Sequence, residues 1–247
     1  MFNLKDGRSI AKINDGDKNT IVFISEDIPG VKSIKVIKQD GWTIEPMPDY
    51  KSRCIVYICG PAGSGKTYYA SMWIKNFKLL YPDSTVYVFS RLEFDKTLDH
   101  LNVVRVKNDM NLVTNPIDIF KDLRFGDLVF FDDCDTVTEK KIRDALSKIQ
   151  NDVLETGRHN NIHILITSHL ITGNDRKNTR TVLNEAQQIV VFPKSGAAHQ
   201  IRYALKNYVG LTAKQIDMIL KKIPSRYVCV GKTYPQYILH ELGCSLL

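Results

Sequence analysis

The chain has 247 residues, 43% hydrophobic and 25% charged, with a net charge of +7, which leaves room for one large domain or one domain with an appendage. No apolar run is long enough to cross a bilayer, and the charged N-terminus lacks the apolar core of a signal peptide. The five cysteines form no CxxC pair and suit a reducing compartment as small buried residues.

In chain order, residues 1–50 read as short β elements. "TIVFIS" (20–25) and "SIKVIK" (33–38) are β-branched, and Asp40-Gly41 before "WTI" predicts a two-residue hairpin turn. These residues are expected to form an N-terminal β-rich extension, with residues 51–247 as the main domain. From Cys54 onward, continuous apolar runs appear at 54–59, 85–90, 127–131, 162–167 and 188–192, with a shorter run at 102–106. Runs apolar on both faces belong to sheets covered on both sides, so the fold class is α/β with a mostly parallel central sheet flanked by helices. Residues 66–80 predict a helix stopped by Pro82. Residues 138–156 predict another, opening on a Thr136-x-x-Glu139 capping box and ending at Gly157. "LTAKQIDMILKK" (211–222) predicts a third, followed by strands at "RYVCV" and "QYILHE".

The charge excess is local. Residues 171–247 hold eleven Lys and Arg against four acids, and residues 1–170 balance to zero. Either a polyanionic partner is met on one face or the surface there is simply Lys-rich.

"CIVYICGPAGSGKTYYA" contains Gly60-x-x-x-x-Gly65-Lys66-Thr67, the P-loop pattern, placed after an apolar strand and opening a helix. Glycines let backbone N–H groups turn in around phosphates, and the helix presents its positive end to the same anion. The cradle is Gly60, Pro61, Ala62, Gly63, Ser64, Gly65, Lys66, Thr67 and Tyr68. Lys66 is expected to reach the terminal phosphates of ATP and the Thr67 hydroxyl to ligate Mg²⁺. "DLVFFDDCD" supplies the acids: Asp132 for the metal, through water, and Asp133 to orient and deprotonate an attacking water. Two adjacent acids at a buried strand end are costly without a cation.

Sixty-five residues, including two strand-like runs, separate Lys66 from Asp132. That fits the P-loop division in which another strand lies between the two motifs and a carboxylate activates water. Arg158 follows the helix stop, 25 residues after Asp133. In a parallel sheet it lies at the end opposite its own cradle, so it is either an arginine finger offered to a neighbouring copy or a cation on the helix dipole. His169, at the far end of "IHILITSH", returns to the cradle end, as a γ-phosphate sensor or as a plain loop histidine.

These motifs, with "SRLEFD", "GRHNNIHILITSH", "TRTVLNEAQQIVVFP" and "KNYVGL" in order from about residue 50, resemble the FtsK–HerA superfamily of P-loop ATPases. They look most like the genome-packaging ATPases of large nucleocytoplasmic DNA viruses. The resemblance implies a homo-oligomeric ring of five or six copies that translocates double-stranded DNA into a viral capsid at its portal. It places the chain at a virus assembly site in host cytoplasm, or with the virion. It also implies hydrolytic roles for Lys66, Thr67, Asp132, Asp133, Arg158 and His169. His169 stands where related motors carry a glutamine sensor. Many relatives have Glu where this chain has Asp133, one methylene shorter. With DNA as partner, the segment 171–181 reads as a pore loop whose Arg176, Lys177 and Arg180 grip phosphates, or as an ordinary surface loop. Two other readings stay open: a nucleotide or nucleoside kinase, for which no arginine-rich lid is visible, and a nucleotide-gated DNA-binding component with little turnover.

Overall fold

The structure, a computed structural model, describes residues 1–169 and 176–247, the side chains of 176–178 excepted. The first strands are β1 (Phe2–Asn3), β2 (Arg8–Asn14), β3 (Asn19–Ile24), β4 (Val36–Ile37) and β5 (Thr43–Pro46). Strands then alternate with helices: β6 (Ile55–Cys59), α1 (Lys66–Leu80), β7 (Val86–Ser90), β8 (Val104–Lys107), α2 (Asn111–Thr114), β9 (Leu128–Phe131), α3 (Lys140–Thr156), β10 (His163–Ser168), α4 (Arg176–Glu185) and β11 (Gln188–Val191). The chain closes with α5 (Ala198–Ala204), α6 (Ala213–Lys221), β12 (Val228–Gly231), β13 (Tyr237–His240) and β14 (Gly243–Leu246).

The central sheet has the strand order β4-β14-β13-β12-β11-β6-β10-β9-β7-β8. Strands from β11 to β8 pair in parallel, and β12, β13, β14 and β4 add an antiparallel wing. This is the α/β class that the apolar runs imply. The reason those runs lack alternation is visible residue by residue. Ile55, Tyr57 and Cys59 of β6 pack into one hydrophobic cluster with α3–α6, while Val56 and Ile58 pack into a second with α1 and the N-terminal sheet. Both faces are covered, so both sets of side chains must be apolar.

The N-terminal strands form their own antiparallel sheet, β1-β3-β2-β5. It shares the second cluster with Trp73 and Phe77 of α1. Polar contacts fasten it to the same helix: Asn76 Nδ2 donates to the Pro46 carbonyl at 2.9 Å and to Glu45 Oε2 at 3.2 Å. The helix that opens at the P-loop is thus clamped along its length.

Three local expectations are corrected. The Asp40-Gly41 turn exists, with Trp42 N–H on the Gln39 carbonyl and Gly41 at φ +80°, but it joins no hairpin. β4 pairs with β14 and β5 with β2, so the turn hands the chain from one sheet to the other. The capping box at Thr136 does not form, because its hydroxyl donates to the Asp133 carbonyl at 2.8 Å within a 3₁₀ turn, and α3 opens from Glu139 instead. Finally, the 171–181 loop reading fails from Arg176 onward, where α4 begins, burying Val182 and Leu183. Residues 171–175 lie outside the described residues.

Candidate active site

The P-loop leaves β6 and turns sharply at Gly60. A Cβ there would stand 2.6 Å from Ser64 Oγ and 2.7 Å from the Phe192 ring. Gly63 and Gly65 take φ of +73° and +107°, values that glycine tolerates and side chains resist. Only this conformation lets α1 start at Lys66 with its N-terminus facing the loop. Lys66, 5% exposed, folds back so that Nζ donates to the Gly60 carbonyl at 3.0 Å and reaches Asp133 Oδ1 at 3.5 Å. Thr67 follows on the first turn of α1, and Tyr68 is exposed there.

Asp132 and Asp133 directly follow β9, and β10 lies between β9 and β6. Asp132 is buried and accepts from Ser90 Oγ at 3.2 Å and Thr167 Oγ1 at 3.1 Å. Burial, then the charge of Asp133, raises its carboxyl above the ordinary range, against those two hydroxyl bonds. Asp133 adopts the left-handed region at φ +46°, which turns its carboxylate toward the cradle. Its N–H donates to Thr167 Oγ1 at 2.8 Å, and its Oδ2 meets His169 Nε2 at 3.0 Å. Asp135 fixes the sensor end, accepting from Ser168 Oγ at 2.7 Å and from the His169 N–H at 3.0 Å.

The structure therefore brings Lys66, Thr67, Asp132, Asp133 and His169 to one end of the parallel strands. Arg158 is not among them. It is exposed in the 3₁₀ turn Gly157–Asn160, before β10, at the opposite end. β10 spans six residues, so the separation is roughly 20 Å. Arg180 is exposed on α4.

Sequence reasoning missed several contributors. Thr167 joins the two acids through one hydroxyl, and Ser90 supports Asp132 from β7; only the strand order brings them there. Arg53, just before β6, donates from Nε to the Ile162 carbonyl at 2.6 Å, and its two other nitrogens reach the Val153 and Leu154 carbonyls of α3. Arg226 lays its aliphatic arm against Gly65, 3.4 Å from where a Cβ would sit, and no motif marks it.

The donor set fits a nucleotide with a divalent cation. Among the described residues, Ser64 Oγ in the cradle is buried without a hydrogen-bond partner, and Asp133 Oδ1 has only the Lys66 ammonium at 3.5 Å. Asp132 presents a buried carboxylate held by two hydroxyl donors. Thr67 and Asp132 are the residues that would hold Mg²⁺.

No protein-family model matches the chain. The "Uncharacterized protein V3" of the Sputnik virophage is 44% identical over 244 residues, covering 98% of this chain and 97% of V3. The chain belongs to the V3 family. Among solved structures it is similar to the DNA-packaging ATPase B204 of Sulfolobus turreted icosahedral virus, at 13% identity and a TM-score of 0.53, covering 77% of this chain and 98% of B204. The genome-packaging NTPase B204 of Sulfolobus turreted icosahedral virus 2, solved with ATPγS, gives 14% identity, a TM-score of 0.51, and coverage of 77% and 97%. At these identities the likeness shows the fold, and it is the P-loop NTPase fold the motifs imply. This V3 relative therefore shares its architecture with a viral packaging NTPase.

Proposed function

We propose that this protein is an Mg²⁺-dependent ATPase that works as a ring of identical subunits and drives double-stranded DNA into a viral capsid. The observation that carries the hydrolytic part is the placement of Asp133. Its carboxylate sits between Lys66 and His169, just past β9, the strand that β10 separates from the P-loop strand. A carboxylate in that position faces the end of a bound triphosphate and can take a proton from water in line with it. The cation, once bound, would neutralise the charge that develops on the transferred phosphoryl group. Lys66 leaves Asp133 for the phosphates, which frees Asp133 to hold the water. His169 stays on Asp133 Oδ2 and reports whether a phosphate is present, passing the state to Ser168 through Asp135.

The packaging part rests on the fold shared with B204, the virophage relative and the basic last third of the chain. The kinase reading is disfavoured because the candidate base stands at the cradle itself, between Lys66 and His169. The test is ATPase activity of the whole chain with and without duplex DNA. Turnover stimulated by duplex and lost in Lys66→Ala is expected. Normal turnover in Lys66→Ala, or phosphate transfer to a nucleoside in place of water, would end the proposal.

A further inference from the structure

The ATPase reading leaves "KNYVGL" without a task, and the structure gives that segment an unusual form. α5 does not stop at Ala204 but widens into a single π-helical turn, Leu205–Val209, closed by Gly210 at φ +82°. Such turns are rare and concentrate at functional sites, because the wider turn trades hydrogen-bond geometry for a particular side-chain placement. Here Leu205 and Val209 stay buried while Lys206 and Asn207 are pushed into solvent. Tyr203 is 46% exposed one turn earlier. The Tyr203 and Tyr208 rings meet edge to face, 6.1 Å apart. Arg180 of α4 sits beside the Tyr208 hydroxyl.

The surroundings are cationic. Residues 198–222 carry Arg202, Lys206, Lys214, Lys221 and Lys222 against Asp217 alone. Asp217 is already committed to Arg202 and Lys221. Lys206, Lys214 and Lys222 are exposed and form no ion pair among the described residues. The acid nearest on α4, Glu185, lies toward Arg53 and Lys232 instead.

We propose that α4, α5, the π turn and α6 form a second contact surface for duplex DNA, in which Lys206, Lys214 and the Tyr203–Tyr208 pair hold backbone phosphates. This rests on the reading that the protein handles DNA. Phosphate contact fits better than base stacking, because the two rings pack on one another and Tyr208 is half-buried, so neither offers two free faces to a base. Exposed ammonium groups and phenol hydroxyls are ordinary phosphate donors, and such contacts fix register without reading sequence.

The test measures fluorescence anisotropy of a mixed-sequence duplex of about 30 base pairs with the full chain, across roughly 50–300 mM KCl. Each lost phosphate contact lowers the log–log salt slope by about 0.9, so Lys206→Ala/Lys214→Ala is expected to lower it by about 1.8 and weaken binding by on the order of 10–60-fold at ~0.1 M salt. Lys18→Ala, on the N-terminal sheet, is expected to leave the slope unchanged, and ATPase without DNA and thermal melting are expected to match wild type in both variants. A wild-type slope in the double variant overturns the surface while leaving the motor reading intact. So does an equal loss in Lys18→Ala, or a loss confined to single-stranded DNA. Failure of the wild-type chain to bind duplex at the lowest salt overturns the DNA reading itself.

Discussion

Thr167 is the smallest change with the largest predicted reach. Its hydroxyl donates to Asp132 Oδ1 at 3.1 Å and accepts from the Asp133 N–H at 2.8 Å, in a side chain 1% exposed. Thr167→Val keeps the shape and removes both bonds. Losing a hydrogen bond to a buried carboxylate costs about 1.5–3 kcal/mol, and an orphaned N–H adds about 1 kcal/mol or more. Because valine fills the same volume, no cavity cost is added. A loss of about 3 kcal/mol should lower the melting temperature by roughly 6–12 °C for a chain of this size. The catalytic effect is separate. Without the Thr167 hydroxyl the Asp133 N–H loses its partner, the left-handed turn is held only through the Thr136 bonds to the Asp133 carbonyl, and the carboxylate drifts from the cradle. Turnover should fall by at least about tenfold with nucleotide affinity little changed, since the P-loop is untouched. Thr167→Ser retains the hydroxyl and should keep most activity. Differential scanning calorimetry and steady-state ATPase on both variants decide it: if valine and serine behave alike, the hydroxyl is not what organises the acids.

Asp132→Asn should abolish hydrolysis yet raise or hold the nucleotide-free melting temperature at pH 7. Its carboxyl is raised, so the ionised form is disfavoured in the fold and wild type regains stability as pH falls toward the raised value. The gap between mutant and wild type should therefore narrow on acidification, which thermal melts at several pH values would read. His163 runs the other way. It is buried, its Nδ1 accepts from the Cys54 N–H, and burial followed by the charge of Arg53 lowers it from 6.5 to about 4. Its contribution is complete above pH 6.5 and should be lost between there and pH 4, by up to about 3 kcal/mol, measurable by urea titration. His163→Gln should flatten that slope. Mixing Arg158→Ala with Lys66→Ala chains should restore part of the activity that each lacks alone. No recovery at any ratio speaks against a shared site.

The strands and the cradle were legible because their causes are local. β6 through β11 are apolar without alternation since Val56 and Ile58 meet α1 while Ile55 and Tyr57 meet α3 and α4. Glycines and a lysine at fixed spacing declare a phosphate loop. What escaped the sequence depends on strand order. Thr167 and Ser90 touch Asp132 across 35 and 42 residues, and no spacing rule links them. α4 was hidden because its apolar residues, Val182 and Leu183, fall near its end, leaving a polar first half that reads as loop. The N-terminal turn at Asp40-Gly41 was legible as a turn, but a turn does not say which sheet follows it.

Arg158 has two readings, a cation on the α3 dipole or a group offered to another subunit, and Arg53 bears on the first of them. Two of the last carbonyls of α3 are already taken, since Arg53 reaches Val153 and Leu154 as well as Ile162 beyond the helix. That position leaves Arg53 partly desolvated, and the charge of Arg158 adds to the penalty. A second cation there meets the like charge of Arg53, and Arg158 is found exposed to solvent. An unengaged guanidinium costs little in water and gains much only if an anion arrives from outside the subunit. Its own cradle lies roughly 20 Å away along β10, beyond the reach of an arginine side chain. The same strand ends at Ser168, beside His169, so a pull on Arg158 by a neighbour's phosphate and a change at Asp133 act on the two ends of one rigid element. In the proposed ring, that link gives adjacent sites a route to fire in turn.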